Sequence, residues 1–131
     1  MNSPSFSIDF QLKMFEEDIK YPFNSILTVS VSSNGFSAVA DMDIDIKKFK
    51  IFTDGISELY RTLNGTASIV ESYGEQFISV SGDGSGYIYV SGHLSSGSES
   101  GSVQKLFFEN SFDQTYLTDF LKSLSELCEE Y

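Results

Sequence analysis

Cysteine is nearly absent from this chain of 131 residues. Cys128 stands alone, so no intramolecular disulfide is available, and the expected compartment is a reducing one, the cytoplasm. Histidine is as scarce. With only His93 and Cys128, the cysteine and histidine ligands of a zinc site cannot be assembled from this chain. Basic residues are few: eight face nineteen acidic ones, a formal net charge of -11. That balance argues against nucleic acid and against an anionic membrane, both of which are polyanions, and it favours a basic protein partner. No apolar run approaches the ~20 residues that span a bilayer. The start, Met1-Asn2-Ser3-Pro4-Ser5, has neither the positive nor the apolar region of a secretory signal.

What is present points to a folded chain. A hydrophobic content of 40% and an aromatic content of 15% exceed what disordered chains carry. The length suits one domain, residues 1–131, that can bury a core without disulfides or metal.

Period-two patterning dominates. Phe6, Ile8, Phe10, Leu12 and Met14 alternate with polar residues, which predicts a half-buried strand. Glu16 through Asn24 is polar and holds Pro22, so it reads as a connection. Ser33-Asn34-Gly35-Phe36 then predicts a hairpin, because Asn-Gly favours the positive φ angles of a type I′ turn. A two-residue loop there pairs Ser33 with Phe36, Val31 with Ala38, Val29 with Ala40 and Leu27 with Met42. Turn chemistry and apolar register agree. Asp45 is placed to cap a helix whose stripe is Phe49, Phe52, Ile56, Leu59, Tyr60 and Leu63. Gly55 weakens its middle, and Asn64-Gly65 is the expected left-handed end. Strands are expected at Thr66–Ser72, Gln76–Ser81, Tyr87–Leu94 and Val103–Glu109, the last two joined by a Ser/Gly loop over Ser95–Ser102 that holds Glu99. Asp113 opens a final helix with the stripe Leu117, Phe120, Leu121, Leu124, Leu127 and Cys128. Glu126, Glu129 and Glu130 oppose the helix dipole at its end, so the last turn is expected to fray. The order is β-β-β-α-β-β-β-β-α. It implies an α+β domain with a mostly antiparallel sheet of about six to seven strands and two amphipathic helices on one face.

Catalytic constellations are not assembled. Asp41, Asp43 and Asp45 form D-x-D-x-D, but a calcium loop wants glycine and glutamate where Ile46 and Phe52 stand. The three read instead as the solvent face of a strand whose Met42 and Ile44 point inward. Gly82-Asp83-Gly84-Ser85-Gly86 lacks the next glycine and the following helix of a dinucleotide fingerprint, and so reads as a hairpin connection. His93 has outward parity, in line with Tyr87, Tyr89 and Ser91, and reads as a surface or rim residue. Tyr87 and Tyr89 are either an interaction face or, with the buried face inverted, covered by the helices. Cys128, beside three glutamates, lacks the electropositive setting of a nucleophile and reads as a core residue. No cofactor or metal site is expected, and no enzyme.

With these elements in order, the chain resembles the WapI-like immunity proteins that accompany contact-dependent or polymorphic bacterial toxins. The hairpin Val29–Ser37 is similar to the family's strand, glycine and aromatic turn. The helix Phe49–Leu63, closed by Leu63-Asn64-Gly65, resembles its central helix. Asp113-Gln114-Thr115-Tyr116-Leu117, with Phe120 and Leu124, resembles its aspartate-capped terminal helix. The likeness runs from about Ile26 to Tyr131 and is weakest over Phe6–Met14. It implies a non-catalytic immunity protein that binds and neutralises a toxin domain in the cytoplasm.

If that toxin is a nuclease, its active site is cationic and would attract an inhibitor of charge -11. From charge alone, the contact surface is expected at Asp41, Asp43 and Asp45, with Glu71, Glu75 and Asp83. Two other classes stay open. One is a small-ligand protein or enzyme with a deep pocket between sheet and helices. The other is a structural domain that dimerises through a sheet edge.

Overall fold

A computed structural model of the chain describes residues 2–3, 5–14, 24–97 and 101–130. The expected connection over Glu16–Tyr21, Pro22 and Phe23, and the loop tip that holds Glu99, lie outside the described residues.

The first sheet forms around the hairpin. β1 (Asn2–Ser3) is a two-residue bridge beside β2 (Phe6–Met14), which pairs with β3 (Ser25–Ser33) and then β4 (Phe36–Ile44), all antiparallel. Asn34 and Gly35 both take positive φ, 50° and 89°. The resulting register sets Ser33 against Phe36, Val31 against Ala38 and Leu27 against Met42, as the turn chemistry requires. Leu27, Val29, Val31, Met42 and Ile44 all turn to the same side and are buried.

Asp45 begins α1 (Ile46–Thr62) by accepting from the Lys47 amide at 2.8 Å. Asn24 adds a second cap, since its side-chain oxygen accepts from the Ile46 amide at 2.9 Å. At the other end the left-handed residue is Leu63, with φ 60°. The sequence had suggested Asn64 and Gly65 for that role. Those residues instead begin β5 immediately, because the Leu63 carbonyl is held by the Gly84 amide at 2.7 Å. Tyr60 leaves the predicted stripe and is exposed.

The second sheet is β5 (Asn64–Val70), β6 (Phe77–Asp83), β7 (Tyr87–Gly97) and β8 (Val103–Asp113) in consecutive antiparallel order. So the α+β class and the element order are as expected, and the strands divide between two sheets. The division falls where α1 separates β4 from β5, a break in the ladder that period-two patterning does not record. Asp113 caps a 3-10 turn, Gln114–Tyr116, before α2 (Leu117–Glu129) starts.

One core joins these parts. Phe10 of β2 meets Phe49 and Phe52 of α1 and Phe120 of α2 at ring-centroid distances of 6.4, 6.2 and 5.6 Å. Phe6 reaches Phe108 and Phe112 of β8 at 6.0 and 6.4 Å, so the two sheets share apolar contacts as well. Such aromatic pairs add about 0.5–1.5 kcal/mol each beyond their buried area. Cys128 is half-buried, its sulfur 3.5 Å from the Thr53 hydroxyl. Among the described residues no helix is long and apolar enough to cross a membrane.

Candidate functional site

The acidic residues of β4 lie where strand parity puts them. Asp41 is exposed and accepts from the Thr28 hydroxyl of the neighbouring strand at 2.6 Å. Asp43 follows on the same face and is half-buried. The loop behind β5 then folds back against this edge. The Ser72 amide donates to the Asp43 carbonyl at 2.8 Å, and the Gln76 side chain donates to the Asp41 carbonyl at 2.9 Å. The Asp41–Asp43 end of the β4 edge is thereby covered, which blunts it there against pairing with another strand.

This fold-back brings Glu71 beside the two aspartates. Burial, then the Glu71 charge, then the Asp41 charge hold Asp43 above the ordinary carboxylate value. The Glu71 carboxylate is oriented by Gln76, accepting from its amide at 3.1 Å and from its side chain at 2.8 Å. Gly74 leaves the room: a Cβ there would lie 2.0 Å from a Glu71 carboxylate oxygen. Glu75 is exposed in the same loop.

Two of the six expected residues stand apart. Asp45 is occupied as the helix cap and is followed by the exposed Lys47 and Lys48. Asp83 lies at the far end of β6, about 20 Å along the strand from Gln76. Its carboxylate accepts from the Ser85 amide at 2.9 Å and from the Ser85 hydroxyl, which holds its pKa down. The geometry therefore assembles Asp41, Asp43 and Glu71, with Glu75 beside them. As a group these carboxylates can attract cations. Among the described residues no group of three or more histidine, cysteine, aspartate or glutamate side chains is arranged to hold a metal ion.

Gln76 and His93 were not legible as parts of this region. Gln76 is 5% exposed and uses its whole side chain: besides Asp41 and Glu71, its oxygen accepts from the Ser95 amide at 3.0 Å. His93 keeps outward parity, yet it is no rim residue, being 4% exposed. The Glu71–Gln76 loop and the Phe107 ring cover it. Its ring stacks on Phe107 at 4.2 Å, and its Nδ1 lies 3.3 Å from the Glu75 carbonyl. Its Nε2 is buried with no partner among the described residues. Tyr87 and Tyr89 are exposed, so the helices do not cover them.

A crevice of about 240 Å³ lies between β2 and α2, floored by Phe10, Phe120 and Leu124 and rimmed by Asp9, Glu126 and Glu130. It falls below the roughly 300–1,000 Å³ of typical small-molecule sites.

The sequence profile of the immunity protein WapI-like family matches residues 6–131. The match includes the first long strand, Phe6–Met14, where the resemblance read from the residues was weakest. Neither a curated protein nor a solved structure matches the chain significantly. With the profile spanning nearly the whole chain, the chain belongs to the immunity protein WapI-like family.

Proposed function

From that membership we propose that the chain neutralises a cognate toxin domain by binding it, without catalysis, in the cytoplasm. The toxin domain is basic, and a nuclease fits best, because a phosphate-binding active site is cationic. The observation that carries this is the convergence of Asp41, Asp43 and Glu71 on one edge, where the Gln76 side chain bonds both the Asp41 carbonyl and the Glu71 carboxylate and the Ser72 amide bonds the Asp43 carbonyl. Like charges held together cost stability, and such clusters recur where function requires them. The net charge of -11 steers a cationic partner towards the chain over a Debye length of about 8 Å.

The test combines Asp41→Asn, Asp43→Asn and Glu71→Gln and measures association with the cognate toxin domain. The association rate is expected to fall about tenfold at low salt, with a shallower salt dependence. An unchanged rate places the contact elsewhere. Co-expression that gives no protection removes the immunity reading itself.

A further inference from the structure

Among the described residues no helix lies on the outer face of the second sheet, where Tyr87, Tyr89 and Phe107 are exposed. Its cross-strand register sets small hydroxyls in a row, Ser68, Ser79 and Ser91, which ends on Glu109 at the β8 edge. Bulkier side chains flank the Ser91–Glu109 end of this row. On one side stands Phe107, 68% exposed, one face of its ring resting on buried His93. On the other side stands Tyr89, 45% exposed. Two adjoining depressions, about 530 and 420 Å³, share Ser91 and Glu109 as lining. Among the described residues the Glu109 carboxylate has no ion-pair or hydrogen-bond partner. Lys105 is the nearest cation on its own strand face, four residues or about 13 Å away.

We propose that this trough is a docking site for a guanidinium group, an arginine side chain presented by the basic partner. The inference rests on the reading that the partner is a basic protein, and it adds a second contact away from the β4 edge. Each wall suits that group. A guanidinium is flat and weakly hydrated, so it stacks on aromatic faces and forks onto a carboxylate, which a lysine ammonium does less well. The serine floor leaves depth for the side chain and offers hydroxyls to its remaining N–H groups. Phe107 is held in place by His93, whose Nδ1 is in turn against the Glu75 carbonyl, so little ordering is left to be done on binding. Tyrosine and phenylalanine on an uncovered face, around one unpaired carboxylate, match the composition of interface centres.

The test is an NMR titration of the full chain with a blocked arginine–glycine peptide, repeated with lysine and with neutral citrulline in place of arginine. Shifts are expected at Tyr89, Ser91, Phe107 and Glu109. Binding is expected to weaken about fivefold in Glu109→Gln, in Tyr89→Ala and with the lysine peptide, the scale of one exposed cation–π contact with one exposed ion pair. The citrulline peptide should shift nothing. Both residues are exposed, and retained spectral dispersion shows that the variants fold. Shifts centred on Asp41 and Glu71 alone, or unchanged affinity in Glu109→Gln, overturn the proposal. So do concentration-dependent shifts on this face without peptide, which assign it to a second copy of the chain. None of these outcomes depends on protection against a toxin, so the two readings fail separately.

Discussion

The side-chain amide of Gln76 donates to the main-chain carbonyl of Asp41 at 2.9 Å, spanning 35 positions of sequence and tying the second sheet's first loop to the first sheet's edge. The same side chain satisfies Ser95 and Glu71. Gln76→Ala strands the Ser95 amide and the Asp41 carbonyl in a region 5% exposed at the glutamine. Each buried group left unpaired costs about 1–3 kcal/mol. The expected loss is about 2–4 kcal/mol in urea denaturation, with Glu71 freed to move. A loss below about 0.5 kcal/mol would mean that water replaces the amide at no cost and that the loop is not held by it.

Asp43 predicts a conflict between stability and binding. Its folded pKa is raised, by burial first and then by Glu71 and Asp41. In the interval between the ordinary value and the raised one, the folded chain holds a proton that the unfolded chain has released. Stability therefore falls as pH rises through that interval, and the penalty is absent below it. Asp43→Asn is expected to stabilise the chain at pH 7 by less than about 1 kcal/mol, the scale of charge interactions at part-exposed sites. The gain should vanish near pH 3, where the wild-type carboxyl is itself neutral. Denaturant midpoints at the two pH values decide it, and a variant less stable than wild type at pH 7 contradicts the assignment.

Gly55 is a contact as well as a weak point in α1. A Cβ there would lie 2.9 Å from the Cβ of Ala67 on β5, which is tighter than van der Waals contact. Gly55→Ala gains about 1 kcal/mol of helix propensity. Separating α1 from β5 costs about 1–3 kcal/mol, as overpacking does elsewhere. A net destabilisation of about 1 kcal/mol is expected. In the double variant with Ala67→Gly, the coupling should be favourable by about 1 kcal/mol in a double-mutant cycle. A stabilising Gly55→Ala would show that the helix shifts freely over the sheet.

The hairpin was legible because two local rules coincide at Asn34-Gly35: positive φ at both positions and period-two burial on both sides. The Asp45 cap was legible for the same kind of reason, since it acts on an amide two residues away. The assembly of the acidic edge was not. Asp43 and Asp83 are both aspartates beside apolar strands, and only the fold-back of residues 71–76 separates one among carboxylates from one that closes its own turn. Parity also misleads where a loop covers a sheet face. Histidine at an outward position reads as a surface residue, but His93 is buried by that same loop and by Phe107. The division into two sheets was hidden too, because alternating serine and valine mark a strand and not its neighbour.

His93 supplies the last prediction. Its ring covers Phe107 at an interplanar angle of 9°, while its Nε2 is buried without a partner among the described residues. If packing is what the site requires, an apolar ring serves as well as imidazole. His93→Phe removes an unpaired polar atom and the 3.3 Å contact to the Glu75 carbonyl. These changes oppose each other, so its stability is expected within about 1 kcal/mol of wild type. His93→Ala loses the stack and leaves a cavity beneath the loop, for an expected cost of about 2–3 kcal/mol. The same ordering should appear in hydrogen exchange of the Glu75 and Gln76 amides, fast in the alanine variant and slow in the phenylalanine variant. If both variants lose stability equally, the imidazole nitrogens are required.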